Sequence, residues 1–266
     1  FFANYEKQEW KSPGASVADS GLGTGAITQD QVNQVINLAK SEYGIDAGSV
    51  GDVDGSTNLE EYAVKLDWNI NDNHRASIRY SKVEQNQART PTTSGTIVNL
   101  SSSFFQQQKT IENYVAQVFS DWSDNFSTEF KVSHKDYSAN RVPLVDMPQI
   151  RIRSGNDSLY VGTEQNTHVN IVESKELSAF GAGTWYVGDH TVKFGFDYSK
   201  NDLMNFYGRN LNGVDEFNSV NDCLAGNASR YQLRTPRADG TRADIPADFT
   251  LKNTGVFVQD TWAINY

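Results

Sequence analysis

The stretch YAVKLDWNINDNHRASIRYS, residues 62–81, alternates apolar and polar side chains, turns, and alternates again. Every second residue is apolar before the turn at 71–74, and the same holds after it. A period of two over two segments of about ten residues, joined by a short polar turn, predicts a β-hairpin. Its apolar face must meet either the core of a soluble sandwich or lipid.

This hairpin pattern recurs along the chain. Residues 114–122 lead through a turn at 123–125 into 126–135, and residues 173–187 lead through 188–189 into 190–199. Each hairpin carries a tryptophan just before its Asp-containing turn, and another tryptophan stands near the end of a final strand. Eight strands are therefore predicted, near 1–10, 59–70, 75–83, 110–122, 126–135, 173–187, 190–200 and 250–264.

The connections between hairpins are long, whereas the turns within them are short. The long ones cover about 11–58, 84–110, 136–172 and 200–249. Loops of this length are unusual in compact soluble domains. The first is predicted to hold a helix, with Thr28 as the N-cap, Gln31 completing a capping box and Gly44 ending it. Its apolar face combines Val32, Val35, Ile36, Ala39 and Tyr43.

Three features favour a membrane β-barrel over a soluble β-sandwich binding module. All short turns fall at one end and all long loops at the other, as in outer-membrane barrels. Aromatic residues gather at the strand ends beside the short turns, where an interfacial girdle would lie. The strands are also longer than those of typical sandwiches. No apolar run approaches the length of a transmembrane helix, but barrel strands need only about 9–11 alternating residues.

The two strand faces are predicted to meet different solvents. The polar face would line an aqueous lumen, with Lys65, Asp67, Arg75, Arg79, Glu129, Lys131, Lys193 and Asp197. The apolar face and its aromatic girdle would contact outer-membrane lipid, with Val64, Leu66, Trp68, Ile78, Tyr80, Trp122, Phe126, Phe130, Trp185, Phe194, Phe196 and Trp262.

Several stretches resemble TonB-dependent outer-membrane receptors, particularly the Oar-like branch. They are FFANYEKQEW (1–10), NLEEYAVKLDWNINDNHRASIRYS (58–81), VGDHTVKFGFDYSKNDLMNFY (187–207) and GVFVQDTWAINY (255–266), together with the loop segment SEYGIDAG (41–48). Each motif is weak alone, because aromatic-rich hairpins are common in barrels. Their order and spacing across nearly the whole chain make the resemblance more specific.

This resemblance implies a 22-stranded barrel closed by an N-terminal plug, in the outer membrane of a Gram-negative bacterium. It also implies energy-coupled movement of a large or scarce ligand, driven by the TonB–ExbB–ExbD complex. Residues 1–266 would then be about a third of one barrel domain, without the plug. A complete eight-stranded barrel is an alternative that the alternating residues 256–266 support. A structural or adhesive barrel without active transport is a further alternative.

The sequence offers little sign of catalysis, of a cofactor or of nucleic-acid binding. The net charge of −10 argues against a phosphate-binding surface. The four histidines lack metal-ligand spacing, no phosphate loop or nucleophile elbow appears, and the single cysteine, Cys223, excludes an internal disulfide framework. We therefore expect no enzyme activity.

Two groups of loop residues are candidates for binding. Asp52, Asp54 and Asn58 weakly resemble a calcium loop, although a polar turn entering a strand explains them more simply. The long loops would meet an extracellular ligand or partner first, and they are rich in aromatic residues. The same residues would equally serve to pack the loops against one another. They are Tyr43, Phe104, Phe105, Tyr137, Tyr160, Tyr207, Phe217 and Tyr231.

Overall fold

The computed structural model describes residues 1–11, 25–50, 55–89, 91 and 95–264. Their strands form two sheets, one of eight strands and one of five. In chain order the strands are β1 (Phe2–Lys11), β2 (Ser56–Asn69), β3 (His74–Arg89), β4 (Ile97–Asn99), β5 (Phe105–Ser123), β6 (Phe126–Pro143), β7 (Gln149–Ser154), β8 (Asp157–Val161), β9 (Asn170–Val187), β10 (His190–Tyr207), β11 (Val214–Phe217), β12 (Arg230–Gln232) and β13 (Ala247–Trp262). The helices are α1 (Gln29–Tyr43), α2 (Val220–Leu224) and two 3₁₀ turns, Ser101–Ser103 and Arg242–Asp244.

The eight-stranded sheet, here called the wall, is an antiparallel meander. Its strands follow the order β1-β2-β3-β5-β6-β9-β10-β13. Each wall strand therefore pairs with the wall strand that precedes it in the chain. The outermost strands, β1 and β13, each pair with only one neighbour among the described residues. The wall is therefore an open sheet with two free edges.

Short polar turns join the wall strands at one end. Between β2 and β3, the Asn71 side chain accepts hydrogen bonds from the backbone N–H groups of Asn73 and His74, both at 2.9 Å. Between β9 and β10, Gly188 adopts φ +56°, which an L-residue rarely adopts. Neighbouring turns are also linked, because the Asp121 N–H donates to the Asn73 carbonyl at 2.8 Å.

The predicted hairpins are confirmed, but most strands extend further toward the long connections than the alternation indicated. β3 continues to Arg89, β6 to Pro143 and β10 to Tyr207, while β5 begins at Phe105 and β13 at Ala247. The long connections are correspondingly shorter than expected. The extensions of β3 and β5 were missed because both faces are polar there, as in EQNQ at 84–87 and QQQK at 106–109, so no period-two signal marks them.

The long connections fold together into a compact layer, here called the cap. Its sheet has the order β12-β11-β7-β8-β4. The pairs β7–β11 and β4–β8 are parallel, whereas β7–β8 and β11–β12 are antiparallel. Helices α1 and α2 cover one face of this sheet and enclose a core with it. The members of that core include Val32, Val35, Ala39, Val98, Ile150, Ile152, Leu159, Val161, Phe217, Val220 and Cys223.

The predicted helix in the first connection is confirmed as α1. Thr28 and Gln31 form the capping box, and Gly44 ends the helix in the left-handed conformation at φ +67°. The predicted face buries Val32, Val35 and Ala39 in the cap core, with Ile36 packed against it. Tyr43 departs from that prediction, because it lies at the end of α1 and is exposed.

Among the described residues, neither α-helix is long and apolar enough to cross a membrane.

Candidate functional site

The wall has two chemically different faces, and its register assigns every strand residue to one of them. Directly paired residues of neighbouring antiparallel strands point to the same side. Lys65 pairs with Arg79, Arg79 with Val115, Val115 with Ser133, and the same row continues across β9, β10 and β13. All eight residues predicted to line a lumen follow this parity. We call this side the polar face.

The twelve residues predicted to contact lipid all lie on the opposite side, here called the apolar face. The row from Val64 through Tyr80, Tyr114 and His134 to Leu177 runs across five strands of this face. Its large side chains are open to the surroundings, for example Trp68 at 65% and Val258 at 78% exposure. An exposed apolar surface of this extent marks a site of contact with lipid or another apolar partner.

Aromatic residues bound the apolar face at both ends. At the short-turn end stand the four tryptophans Trp68, Trp122, Trp185 and Trp262. At the other end are tyrosines in ring contact, Tyr5 with Tyr62 at 5.1 Å and Tyr80 with Tyr114 at 5.0 Å between centroids. The sequence pattern had indicated the tryptophan row. Of these tyrosines, only Tyr80 had been assigned to the apolar face or its girdle, and its ring contact with Tyr114 depends on the pairing of β3 with β5.

Ion pairs begin directly beyond the tyrosine row. They include Lys7–Glu60 at 3.1 Å and Lys200–Asp202 at 2.7 Å. From Tyr114 to Trp122 in β5, the apolar stretch extends about 27 Å along the strand. With the tilt of about 40° typical of membrane barrels, this gives an apolar band about 20 Å tall, close to the roughly 25 Å of outer-membrane barrels.

Two glycines let phenylalanine rings lie flat against the apolar face. A Cβ on Gly181 would approach the Phe196 ring to 2.6 Å, and one on Gly183 would approach the Phe194 ring to 2.8 Å. Phe130 and Phe126 lie against the same two glycines from β6. The rings thus shield the β9 backbone, and this explains why residues 173–187 show no clear alternation in the sequence.

The polar face contains two adjacent depressions that share Gln117 and Phe119. The larger, about 510 Å³, extends from Gln117 past Lys131 and Phe180 to Asp197. The smaller, about 220 Å³, also reaches Lys65, Asp67 and Arg75. Aromatic rings form part of this surface, since Phe180 stacks on Phe257 with centroids 6.0 Å apart. Phe180 and Phe257 were missed because they interrupt polar positions singly.

Ion pairs and a cation–π contact order the charges of the polar face. Lys65 bonds to Asp67 at 2.6 Å, and Lys193 bonds to Glu129 at 2.7 Å. The Arg75 guanidinium lies 4.9 Å from the centre of the Phe119 ring. The polar face therefore combines fixed charges with apolar rings in one groove.

The predicted loop aromatics divide into exposed and buried groups, and Phe105, Tyr137 and Tyr207 lie in the wall strands β5, β6 and β10 and not in loops as predicted. Tyr43, Tyr207 and Tyr231 are 54%, 40% and 57% exposed. Phe104, Phe105 and Phe217 are buried, which removes them from the surface that a ligand can reach and assigns them to packing. Tyr137 and Tyr160 are half-buried, in β6 and β8.

Buried polar groups hold the cap connections together. His168 is 6% exposed; its Nε2 lies 3.1 Å from the Thr163 carbonyl, and its Nδ1 accepts a hydrogen bond from the Asn212 N–H at 3.1 Å. Burial lowers the pKa of His168 and raises that of Glu164. Through its hydrogen bond with Asn212, His168 joins the β8–β9 connection to the turn after β10.

The possible metal and nucleophile positions offer no assembled site. Asp52 and Asp54 lie outside the described residues, and Asn58 stands within β2, paired with Glu9 and Asn86. Across the ranges that the structure describes, no group of three or more His, Cys, Asp or Glu side chains is placed to hold a metal ion. Cys223 is buried in α2, and burial raises the pKa of its thiol to about 11.

Comparison with known proteins gives a family and a distant structural likeness. The family model described as an outer membrane beta barrel domain matches residues 32–266. No curated protein matches the chain. One similar solved structure is the outer membrane transporter YddB from Escherichia coli, at 11% identity and a TM-score of 0.34. The match covers 97% of this chain and 37% of the transporter, so the chain spans just over a third of that protein's length. The chain belongs to the outer membrane beta barrel domain family, and its place is the bacterial outer membrane.

Proposed function

We propose that the wall is part of the barrel of a TonB-dependent outer-membrane receptor of the Oar-like branch. Its apolar face contacts lipid, and its polar face lines the aqueous interior. The observation that carries this proposal is the division of one continuous sheet into an apolar band between two aromatic rows and an opposite face of charged residues. The resemblance of the hairpin segments to this receptor family supplies the finer assignment.

The free edges of the wall support a barrel larger than eight strands. In a bilayer, every backbone N–H and C=O group at membrane depth needs a partner inside the protein. β1 and β13 each leave one edge unpaired among the described residues, over 10 and 16 residues. Further strands, 22 in all by the resemblance, would satisfy these edges.

The polar face also suits a wide interior better than a narrow one. Small barrels fill their interior with side chains and leave little room for water. Here long cationic side chains such as Arg79 and Lys131 stand on the same face as Lys65 and Lys193. Their charges are better solvated in a water-filled lumen than in a closed small barrel.

In the proposed receptor, the cap meets the extracellular ligand first. Tyr43 and Tyr231 offer exposed rings there, and Tyr207 offers another at the end of β10 nearest the cap. The polar-face groove lies further along the same route. The TonB–ExbB–ExbD complex would supply energy through a plug, as it does in the family that the chain resembles. The wall and cap themselves would act in binding and passage, not in catalysis.

The test uses the native protein from an outer-membrane preparation. Peptide mapping on both sides of residues 1–266, with the intact mass, shows whether further strands and a plug belong to it. Co-purification with the periplasmic domain of TonB then tests energy coupling. A large parent protein retained by TonB is expected. A closed eight-stranded protein, or a larger barrel that TonB does not retain, would instead support the structural or adhesive barrel.

A further inference from the structure

The larger depression of the polar face keeps one unpaired charge of each sign. Three charged residues line it, namely Glu129, Lys131 and Asp197. The Glu129 carboxylate is bonded to Lys193 at 2.7 Å and is thereby neutralised. Lys131 and Asp197, in contrast, have no ion-pair or side-chain hydrogen-bond partner within the described part of the chain. The free charges of the depression therefore balance, which favours a ligand that carries both signs.

These two free charges stand on opposite sides of an aromatic ring. Lys131 of β6, Phe180 of β9 and Asp197 of β10 form one row of directly paired residues. Because β6 and β10 are two strand spacings apart, the row is about 10 Å wide. The Asp197 carboxylate lies over Gly255 of β13, on the side away from Lys131. The two charges are thus held apart, with Phe180 between them.

The ring of Phe180 belongs to a flat apolar floor. Phe180 and Phe257 lie nearly parallel, with 12° between their planes and 6.0 Å between their centroids. Gly195 lies beside both rings, and a Cβ at this position would approach the Phe257 ring to 2.8 Å. The rings therefore lie close on the backbone of β10 and offer a surface for an apolar group of a ligand.

Hydroxyl and amide groups border the same row. Ser133, Ser178 and Ser199 are directly paired across β6, β9 and β10, two residues further along each strand. The Ser178 hydroxyl donates to Glu176 at 3.0 Å. Ser133, Ser199 and Gln117 make no side-chain hydrogen bond within the ranges that the structure describes. A hydroxyl or an amide side chain can both donate and accept hydrogen bonds, which matches the two polar groups of a peptide unit.

We propose that the larger polar-face depression binds a short peptide, with its terminal carboxylate at Lys131, its terminal ammonium at Asp197 and a side chain against Phe180. At about 3.4 Å per extended residue, three residues span about 10 Å, the width of the row. The volume of about 510 Å³ lies within the range of small-ligand sites. A neutral sugar would leave both charges without partners. The proposal rests on the proposed function in requiring a water-filled lumen, and it names the class of ligand.

The tripeptide alanyl-phenylalanyl-alanine tests this site, and its capped forms are the matched controls. Isothermal titration calorimetry on the native protein in detergent micelles should show binding of the uncapped tripeptide. N-acetylation or C-terminal amidation should each weaken binding by about tenfold or more, since each removes a charge-assisted hydrogen bond. No binding of the uncapped tripeptide would overturn the proposal. Equal binding of the doubly capped form, or tighter binding of the neutral sugar maltotriose, would overturn it as well.

Substitutions assign each end of the peptide to one residue. Asp197→Asn should weaken binding of the uncapped tripeptide about tenfold but leave binding of the N-acetylated form unchanged, because the carboxylate contacts only the ammonium. Lys131→Gln should have the same relation to the amidated form. Lys109→Gln is the matched control, since Lys109 stands on the polar face eight residues from Gln117 along β5.

All three variants must keep the melting temperature of the unaltered protein. If Asp197→Asn and Lys131→Gln weaken capped and uncapped peptides alike, these residues do not contact the peptide ends, and the proposal fails. An equal loss of affinity in Lys109→Gln would likewise move the binding away from the depression.

One further variant separates this proposal from the proposed function. Ser133→Cys, in lipid vesicles, should react with a membrane-impermeant maleimide faster than the unaltered protein does, because the polar face lines water. The bound tripeptide should slow that reaction. Reaction that the tripeptide does not slow would reject the ligand and keep the lumen assignment. Absence of reaction in the folded protein would reject both.

Discussion

The wall and the cap are built from one chain but stabilised in opposite ways. In the cap, Ile152 and Leu159 are completely buried, and two helices cover the sheet that carries them. In the wall, apolar side chains of similar size, such as Leu66 and Val256, are 56% and 85% exposed. The cap thus carries its own hydrophobic core, whereas the wall lacks one. The wall leaves its apolar side chains exposed, and in the proposed barrel lipid would cover them.

The largest expected effect comes from opening the core of the cap. Ile152→Ala removes a fully buried side chain and leaves a cavity, so it should lower the unfolding free energy of the cap by about 2–5 kcal/mol. Hydrogen exchange of the β7 and β8 amides measures this loss. Wall amides in β2 and β3 should keep their protection. Equal loss in both regions would mean that cap and wall unfold as one unit.

The wall should respond to a charge on one face only. Val64→Arg places a charge on the apolar face near the middle of the band and should cost about 2–4 kcal/mol of barrel stability. Lys65→Ala, one residue further along β2, changes the opposite face. Its exposed ion pair with Asp67 is worth about 1 kcal/mol at most. Denaturant unfolding in lipid vesicles compares the two variants, and similar losses would refute the division into faces.

The cap, unlike the wall, should lose stability at acid pH because His168 becomes protonated. The neutral ring uses both nitrogens, and protonation of Nδ1 would turn the acceptor for the Asn212 N–H into a second donor. Burial lowers the pKa of His168 below its ordinary value of about 6.5. Its contribution to stability is therefore complete above that value and is lost as the pH falls through the lowered pKa.

Protection factors of the Asn212 and Gly213 amides between pH 7.5 and 5 measure this effect. Asp146, which accepts from the Asn212 side chain, and Arg242, which donates to the Leu211 carbonyl, are the neighbouring charges. His168→Gln keeps a donor and an acceptor without titrating, so it should abolish the pH dependence. His134→Gln, on the wall, should leave it intact. A pH dependence that survives in His168→Gln would contradict the assignment.

A smaller effect is expected at the start of α1. Thr28→Ala removes the side-chain oxygen that accepts from the Gln31 N–H, and should lower helix stability by about 1 kcal/mol. Amide exchange in the first turn of α1 measures the loss. Asn37→Ala, in the exposed middle of the same helix, should be neutral or slightly stabilising. A greater loss of helix stability from Asn37→Ala than from Thr28→Ala would contradict the role of Thr28 as the N-cap of α1.

The wall and α1 could be predicted from the sequence because their signals are local. Alternation in 62–70 and 75–80 defines a hairpin without knowledge of its neighbours, and the Thr28–Gln31 capping box lies within four residues. The assignment of residues to faces follows from the same parity. What those faces meet was indicated by the end-to-end asymmetry of the loops.

The cap could not be predicted because its signals are distant. Its strands have three to six residues, too few for a period to show, and two of its pairs are parallel between remote segments. Phe104, Phe105 and Phe217 look like surface aromatics until those segments meet and bury them. The groove around Gln117 likewise depends on pairing between β3, β5 and β6.

The most direct test of the two-faced wall is a spin-label scan along β2 in the native protein, reconstituted into lipid vesicles. A nitroxide is placed in turn at positions 64 to 68, and its collisions with oxygen and with a water-soluble nickel chelate are measured. Labels at 64, 66 and 68 should collide more with oxygen, which concentrates in lipid, and those at 65 and 67 more with the chelate. Uniform accessibility along β2, or the reversed alternation, would contradict the assignment of lipid and lumen faces.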